Sequence, residues 1–160
     1  MLHFEPITLE NAPAIMALQV SPAQCTFVAP NSRSLEEAEA CNRAGGYALS
    51  LGIYDGETPV GFVMIGFGVD EDWENPPAIA HGNYNLWRLM IDQRYQRKGY
   101  GRQALQLALD YIRTFPCGPA QYCWLSYEPE NLVAKRLYES FGFTETGEKD
   151  EDEIIAVLKL

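Results

Sequence analysis

The stretch Leu89-Met90-Ile91-Asp92-Gln93-Arg94-Tyr95-Gln96-Arg97-Lys98-Gly99-Tyr100-Gly101-Arg102 limits the fold more than any other part of the chain. It reads as an apolar strand that turns into a helix through a polar loop ending in two glycines. The first N–H groups of such a helix have no intrahelical partner, and the helix dipole adds about half a positive charge at the same end. Gly99 and Gly101 let the backbone approach a ligand closely, while Arg94, Arg97, Lys98 and Arg102 place four positive charges within nine residues. By its residues alone a segment built this way is either an anion site that suits a pyrophosphate or a charged loop whose glycines only form a turn. Neither G-x-x-x-x-G-K-[ST] nor G-x-G-x-x-G occurs, which sets aside the common nucleotide-binding loops.

That positive patch interrupts an acidic chain, in which 22 Asp and Glu outnumber 12 Lys and Arg for a net charge of −10. Such a surface repels nucleic acid and anionic membranes and favours cationic partners. Asp, Glu, Arg or Gly breaks every apolar run before it reaches the ~20 residues that span a bilayer. Met1-Leu2-His3-Phe4-Glu5 lacks the basic start and apolar run of a signal peptide, and Cys25, Cys41, Cys117 and Cys123 are irregularly spaced. The expectation is a cytoplasmic, soluble protein with reduced thiols. His3 and His81 have no partner ligands at zinc spacing, and there is no G-x-S-x-G elbow, so neither a metal site nor a hydrolase is expected.

The 160 residues show no repeat or linker, and one domain over 1–160 is expected. Residues 2–8 read as a strand, and Asn11 is placed to cap a short helix with Pro13 in its first turn. Ser34-Leu35-Glu36-Glu37 reads as a capping box opening a helix that Gly45-Gly46 stops. Two apolar runs, 47–54 and 59–67, flank Asp55-Gly56, a dipeptide suited to the positive φ angles of a hairpin turn. Residues 85–92 form a further strand, and 101–115 a helix with Ala104, Leu105, Ala108 and Ile112 on one face. A strand at 121–126 leads into a helix capped by Asn131, with Ala134, Leu137, Tyr138 and Phe141 on one side and Gly142 as the stop. Strands at 144–147 and 153–160 flank an acidic stretch, 148–153, expected to be a solvated loop. The fold class is α/β, with a mixed, mostly antiparallel central sheet flanked by helices.

Gln96-x-x-Gly99-x-Gly101 after an apolar strand resembles the coenzyme A pyrophosphate signature of the GNAT superfamily of acetyl-CoA-dependent N-acetyltransferases. Asn131-x-x-Ala134-x-x-Leu137-Tyr138-x-x-x-Gly142-Phe143 resembles that superfamily's second signature helix in order and spacing. The resemblance implies the GNAT acyltransferase fold, with acetyl-CoA as cosubstrate. It further implies that the backbone of Leu89, Met90 and Ile91 holds the pantetheine arm and thioester carbonyl. Gln96, Arg97, Lys98, Gly99, Tyr100, Gly101 and Arg102 would cradle the pyrophosphate, Asn131 would contact the pantetheine or pyrophosphate region, and Lys135 would lie near the nucleotide phosphates. Tyr138 would sit beside the sulfur.

Acyl transfer from a thioester to an amine needs a neutral amine, a donor for the oxyanion and a proton for the leaving thiolate. A strand N–H at Leu89, Met90 or Ile91 is the implied oxyanion donor, and Tyr138 the candidate general acid. Asp92 and Glu128 are the carboxylates nearest the motif strands, and neither is assigned as base. Gln24-x-x-Phe27-Val28-Ala29-Pro30-Asn31-x-x-Ser34-Leu35-Glu36-x-Ala38 and Leu86-x-Arg88-x-x-Ile91-Asp92-x-Arg94-Tyr95-Gln96 are similar to bacterial spermine/spermidine acetyltransferases, although Trp87 stands where some of that branch carry an acidic residue. A polyamine suits an acidic surface, and Trp73 within Asp70-Glu71-Asp72-Trp73-Glu74 could hold an alkylammonium by cation–π attraction. Phe27, Trp87 and Glu128 are the candidate substrate contacts. The expected activity is acetylation of a primary amine, a polyamine first. A protein amino terminus, lysine, aminoglycoside or amino-acid-like acceptor stays open, as does a non-catalytic acyl-CoA sensor. So does the oligomeric state, a homodimer included.

Overall fold

A computed structural model describes residues 1–160. The two apolar runs around the glycine turn form β2 (Tyr47–Asp55) and β3 (Thr58–Phe67), antiparallel with Asp55 opposite Thr58. Only Gly56 takes positive φ, at 61°, so Asp55 closes the strand instead of entering the turn. β1 (Leu2–Pro6) adds to one side of this hairpin and β4 (Tyr84–Ile91) to the other. The second half supplies β5 (Tyr122–Tyr127), β6 (Thr144–Asp150) and β7 (Glu153–Lys159), giving one sheet of order β1-β2-β3-β4-β5-β7-β6.

Every pairing is antiparallel except β4 with β5, which run parallel. Those two strands pair only at Tyr84–Cys123 and Asn85–Trp124, then part. The rest of the β4 edge, through Ile91, therefore faces no strand, and its N–H and C=O groups are left for another partner. On its other side β4 carries a bulge: Met64 opposes Arg88 while Ile65 opposes Leu86, leaving Trp87 as the extra residue. A bulge re-aims a side chain and bends its strand, and here both occur beside the opening.

Helices cover both faces. α1 (Ala12–Met16) and α2 (Asn31–Arg43) bury Ile15 and Ala38, together with Leu18 just past α1, against Ala48, Tyr54, Phe62, Met64 and Met90. α3 (Tyr100–Ile112) buries Ala104, Leu105, Ala108, Leu109 and Ile112 against Val63, Ile65, Leu86 and Leu125. Each Leu or Ile so buried is worth about 1.5–3 kcal/mol. α4 (Leu132–Ser140) packs on the same face through Leu137 and Tyr138 but leaves Leu132 and Val133 exposed. No helix is long and apolar enough to cross a membrane.

Three local expectations change. Asn11 does not cap forward, because its Oδ1 accepts from the Thr8 N–H at 2.7 Å and its own N–H donates to Thr8 Oγ1. α2 begins at Asn31 after Pro30, so Ser34 lies inside the helix and Glu37 binds Arg88 rather than closing a capping box. Tertiary contact outweighs the local motif: Asn31 is buried and donates through Nδ2 to the Ile15 carbonyl at 2.8 Å. The acidic stretch 148–153 is not a loop, since β6 runs through Asp150 and only Glu151 and Asp152 separate it from β7. Strand pairing is a backbone property, and an edge strand tolerates charge on its exposed side chains.

Candidate active site

The parting of β4 from β5 opens a cleft of about 1030 Å³. Leu89, Met90 and Ile91 form one wall, Asn131, Ala134, Leu137 and Tyr138 of α4 another, and Gln96, Arg97, Gly99 and Gly101 one end. The loop at that end is braced from behind. Asp92 is buried, and its carboxylate accepts from the N–H groups of Gln19 and Arg94 at 2.9 Å each and from Arg94 Nε at 2.8 Å. Burial raises its pKa, but those hydrogen bonds outweigh burial and hold it below the usual carboxylate value. Gln96 donates to the Ile91 carbonyl and to Gln24 Oε1, tying the loop to the strand end.

Arg97 at φ 63° and Gly99 at φ 80° then curl the backbone into α3, whose first helical bond is Gln103 N–H to Gly99 C=O. The N–H groups of Tyr100, Gly101 and Arg102 therefore have no helical acceptor. No atom lies within 4 Å of the place a Cβ on Gly101 would occupy, so this helix end is open to a ligand. Four of the sequence-selected side chains are engaged elsewhere and do not line the cleft. Tyr100 donates to Asp55, Lys98 lies over the Tyr95 ring, Arg102 donates to Ser140 and covers Phe141, and Lys135 pairs with Glu145 at 3.3 Å.

α4 is capped by Asn131, which accepts from the Ala134 N–H at 3.3 Å. About two helical turns beyond, Tyr138 reaches the cleft between the rings of Tyr127 and Phe143, with centroids 6.0 and 5.9 Å away. Its hydroxyl makes no hydrogen bond within the protein. Burial pushes its pKa up to about 12, with a smaller contribution from Cys123, so it stays protonated and can donate throughout the neutral range.

A second cavity, of about 490 Å³, shares β4 as a wall through Asn85, Trp87 and Arg88. Six carboxylates line it, from Glu37, Asp70, Asp72, Asp150, Glu151 and Glu153, against the single guanidinium of Arg88. Glu37 binds Arg88 at 3.0 Å and Arg33 at 3.0 Å, which leaves the other five in excess. Trp73, Trp87 and Trp124 supply aromatic walls, Trp73 stacked on Trp124 at 6.3 Å. Glu153 accepts from Ser126 Oγ at 3.2 Å. Burial raises its pKa and that of Asp150; for Glu153 the Ser126 bond and Arg88 oppose the shift while Asp150 and Glu128 add to it.

Of the expected substrate contacts, Trp87 lines this acidic cavity and Phe27 lines the larger cleft. Glu128 lines neither, and its carbonyl accepts from the Asn131 N–H at the turn into α4. Trp124, Ser126, Glu37, Asp150 and Glu153 line the acidic cavity without having been singled out as contacts. The acidic run 148–153 pointed to Asp150 and Glu153 alone; nothing local marks Glu37, Trp124 or Ser126, and the two acidic runs themselves lie about 80 residues apart in the chain.

Residues 13–143 match the profile of the acetyltransferase (GNAT) family. The chain is 32% identical over 150 residues to the spermine/spermidine N(1)-acetyltransferase of Bacillus subtilis, covering 93% of this chain and 91% of that one. In structure it is similar to the PaiA N-acetyltransferase of Thermoplasma acidophilum in complex with coenzyme A, with TM-score 0.68, 17% identity, and 100% and 99% of the two chains covered. It is similar also to an aminoglycoside acetyltransferase bound to coenzyme A and kanamycin, with TM-score 0.77, 12% identity, and 99% and 95% covered.

Proposed function

The chain belongs to the acetyltransferase (GNAT) family, and from that premise we propose that it acetylates a primary amine of a polyamine such as spermidine or spermine, using acetyl-CoA. The observation that carries the acceptor is the acidic cavity with its three tryptophans, set against the strand that also walls the larger cleft. A polyamine presents several ammonium groups on a flexible alkyl chain. Five unpaired carboxylates attract such a cation, and the indole faces hold alkylammonium groups by cation–π contact.

The larger cleft suits coenzyme A. Its open α3 terminus takes the pyrophosphate, the free edge of β4 at Leu89, Met90 and Ile91 takes the pantetheine amides, and exposed Leu132 and Val133 offer an apolar wall. Acetyl-CoA supplies the activated acyl group. A β4 N–H polarises its carbonyl, and the Tyr138 hydroxyl supplies the proton that the leaving sulfur needs. Within this reading residues 1–160 act as one N-acetyltransferase unit.

The test is the double variant Asp70→Asn/Asp72→Asn in a thiol-release assay. KM for spermidine should rise several-fold while KM for acetyl-CoA stays within twofold. An unchanged KM for spermidine removes the acidic cavity as the acceptor site.

A further inference from the structure

An acceptor ammonium, with pKa near ~10.4 for a simple alkylamine, must lose a proton before its nitrogen can attack. The carboxylates around the β4–β5 parting differ in their freedom to take it. Asp92 is consumed by three donors, Glu37 by two arginines, and Asp70 accepts from the Asp72 N–H. Glu128 lines neither cavity, Asp72 is exposed on the β3–β4 connection, and Asp150 and Glu151 sit at the turn of the outermost hairpin, Glu151 exposed. Glu153 differs from all of these. It lies on β7 beside β5, where Ser126 follows two residues after Trp124, the last residue that β5 pairs with β4. Its single protein hydrogen bond comes from the Ser126 hydroxyl to Oε1, which leaves Oε2 without a protein donor, and the residue lines the acidic cavity.

We infer that Glu153 is the general base that deprotonates the acceptor ammonium. This rests on the acidic cavity being the acceptor site. One N–H bond of the ammonium breaks and its proton passes to a Glu153 oxygen. The freed lone pair forms the bond to the acyl carbon and the carbon–sulfur bond breaks. As the amide forms, the second nitrogen proton leaves to solvent water and the Tyr138 hydroxyl gives its proton to the departing sulfur; the tyrosine is reprotonated from solvent and Glu153 returns its proton there, so that one proton is released per turnover. Arg88 of β4, Asp150 of β6 and Glu128 beyond β5 are the charged groups that act on Glu153. Its burial raises its pKa and so its strength as a base.

The experiment measures kcat and KM for Glu153→Gln, Glu153→Asp and Ser126→Ala between pH 5.5 and 10.5, with spermidine and with whichever amine the unaltered enzyme acetylates fastest. Glu153→Gln should lose about 10²-fold or more in kcat near neutral pH, with KM for acetyl-CoA unchanged. The deficit should shrink above pH ~10, where the amine is already neutral. Glu153→Asp should recover part of the loss. Ser126→Ala removes a hydrogen bond that favours the carboxylate, so the acid limb of its profile should move to higher pH. Wild-type kcat and profile in Glu153→Gln overturn the inference, as does a loss confined to KM for the amine or an unmoved limb in Ser126→Ala. If another amine replaces spermidine as the good acceptor while the Glu153→Gln deficit persists, the polyamine reading falls and Glu153 stands. Absence of turnover with every amine overturns both.

Discussion

Replacing Asp92 by Asn tests whether the loop ahead of α3 is held by one buried carboxylate. In the native protein Oδ1 accepts from the N–H and Nε of Arg94 and Oδ2 from the Gln19 N–H. An asparagine that keeps its oxygen toward Arg94 turns its NH₂ toward the Gln19 N–H, so a charge-assisted bond is replaced by two facing donors. Arg94 is itself largely exposed and its ion pair contributes little, so the loss is dominated by the buried backbone bonds, at about 2–4 kcal/mol. For a chain of this size that lowers Tm by roughly 5–15 °C. The sign of the pH dependence follows from the lowered folded pKa. Stability from Asp92 is fully present above the unfolded value of ~3.9 and fades as pH falls through it toward the folded value. The gap between native and variant Tm, measured by circular dichroism, should therefore be level from pH 7.5 to 5.5 and close below about pH 4. A variant that melts within about 1 °C of the native protein at pH 7.5, or a gap that widens in acid, refutes the anchoring role.

Gly101→Asp places a carboxylate at the open start of α3. Helix propensity and the macrodipole both favour it, so Tm should hold or rise, yet coenzyme A affinity measured by calorimetry should fall about tenfold or more; retained affinity would move the pyrophosphate elsewhere. Tyr138→Phe should lower kcat by about 10²–10⁴-fold with coenzyme A affinity nearly unchanged, and an unaltered kcat removes it as the acid. Gly61→Ala drives a Cβ into the backbone carbonyl of Met90 and close to Ile91, on the β4 segment that walls the cleft. It should cost about 1–3 kcal/mol in a melt and weaken coenzyme A binding as well; native values for both would mean that β4 yields at no cost.

The strands, the helix stripes and the glycine loop that opens α3 were legible because each is written locally, in alternation, in three-and-four spacing and in paired glycines. Ala104, Leu105, Ala108 and Ile112 face the core as their spacing requires. The start of α2 was misread because Ser34-x-x-Glu37 is a good local cap, whereas the buried contacts of Asn31 with Ile15 and of Glu37 with Arg88 come from partners 16 and 51 residues away. The acidic cavity was hidden for the same reason. Asp70 and Asp72 reach it from the β3–β4 connection, Asp150 and Glu153 from the last hairpin, and only the sheet order brings those segments together. Trp87 enters it as the extra residue of a bulge, a register shift that no local spacing announces. Lys98, Tyr100, Arg102 and Lys135 occur where the motif places them, but their side chains bind other parts of the protein, and the N–H groups at the start of α3 are what this end of the cleft leaves open.

Acetyl-CoA-dependent thiol release across a panel of spermidine, spermine, lysine, an aminoglycoside and a peptide is the most direct measurement. The predicted result is kcat/KM at least tenfold higher for the polyamines than for any other amine, falling with added salt as expected for a cation drawn into a cavity of five unpaired carboxylates. Turnover that favours the peptide, the aminoglycoside or lysine, or that does not change with salt, would contradict it.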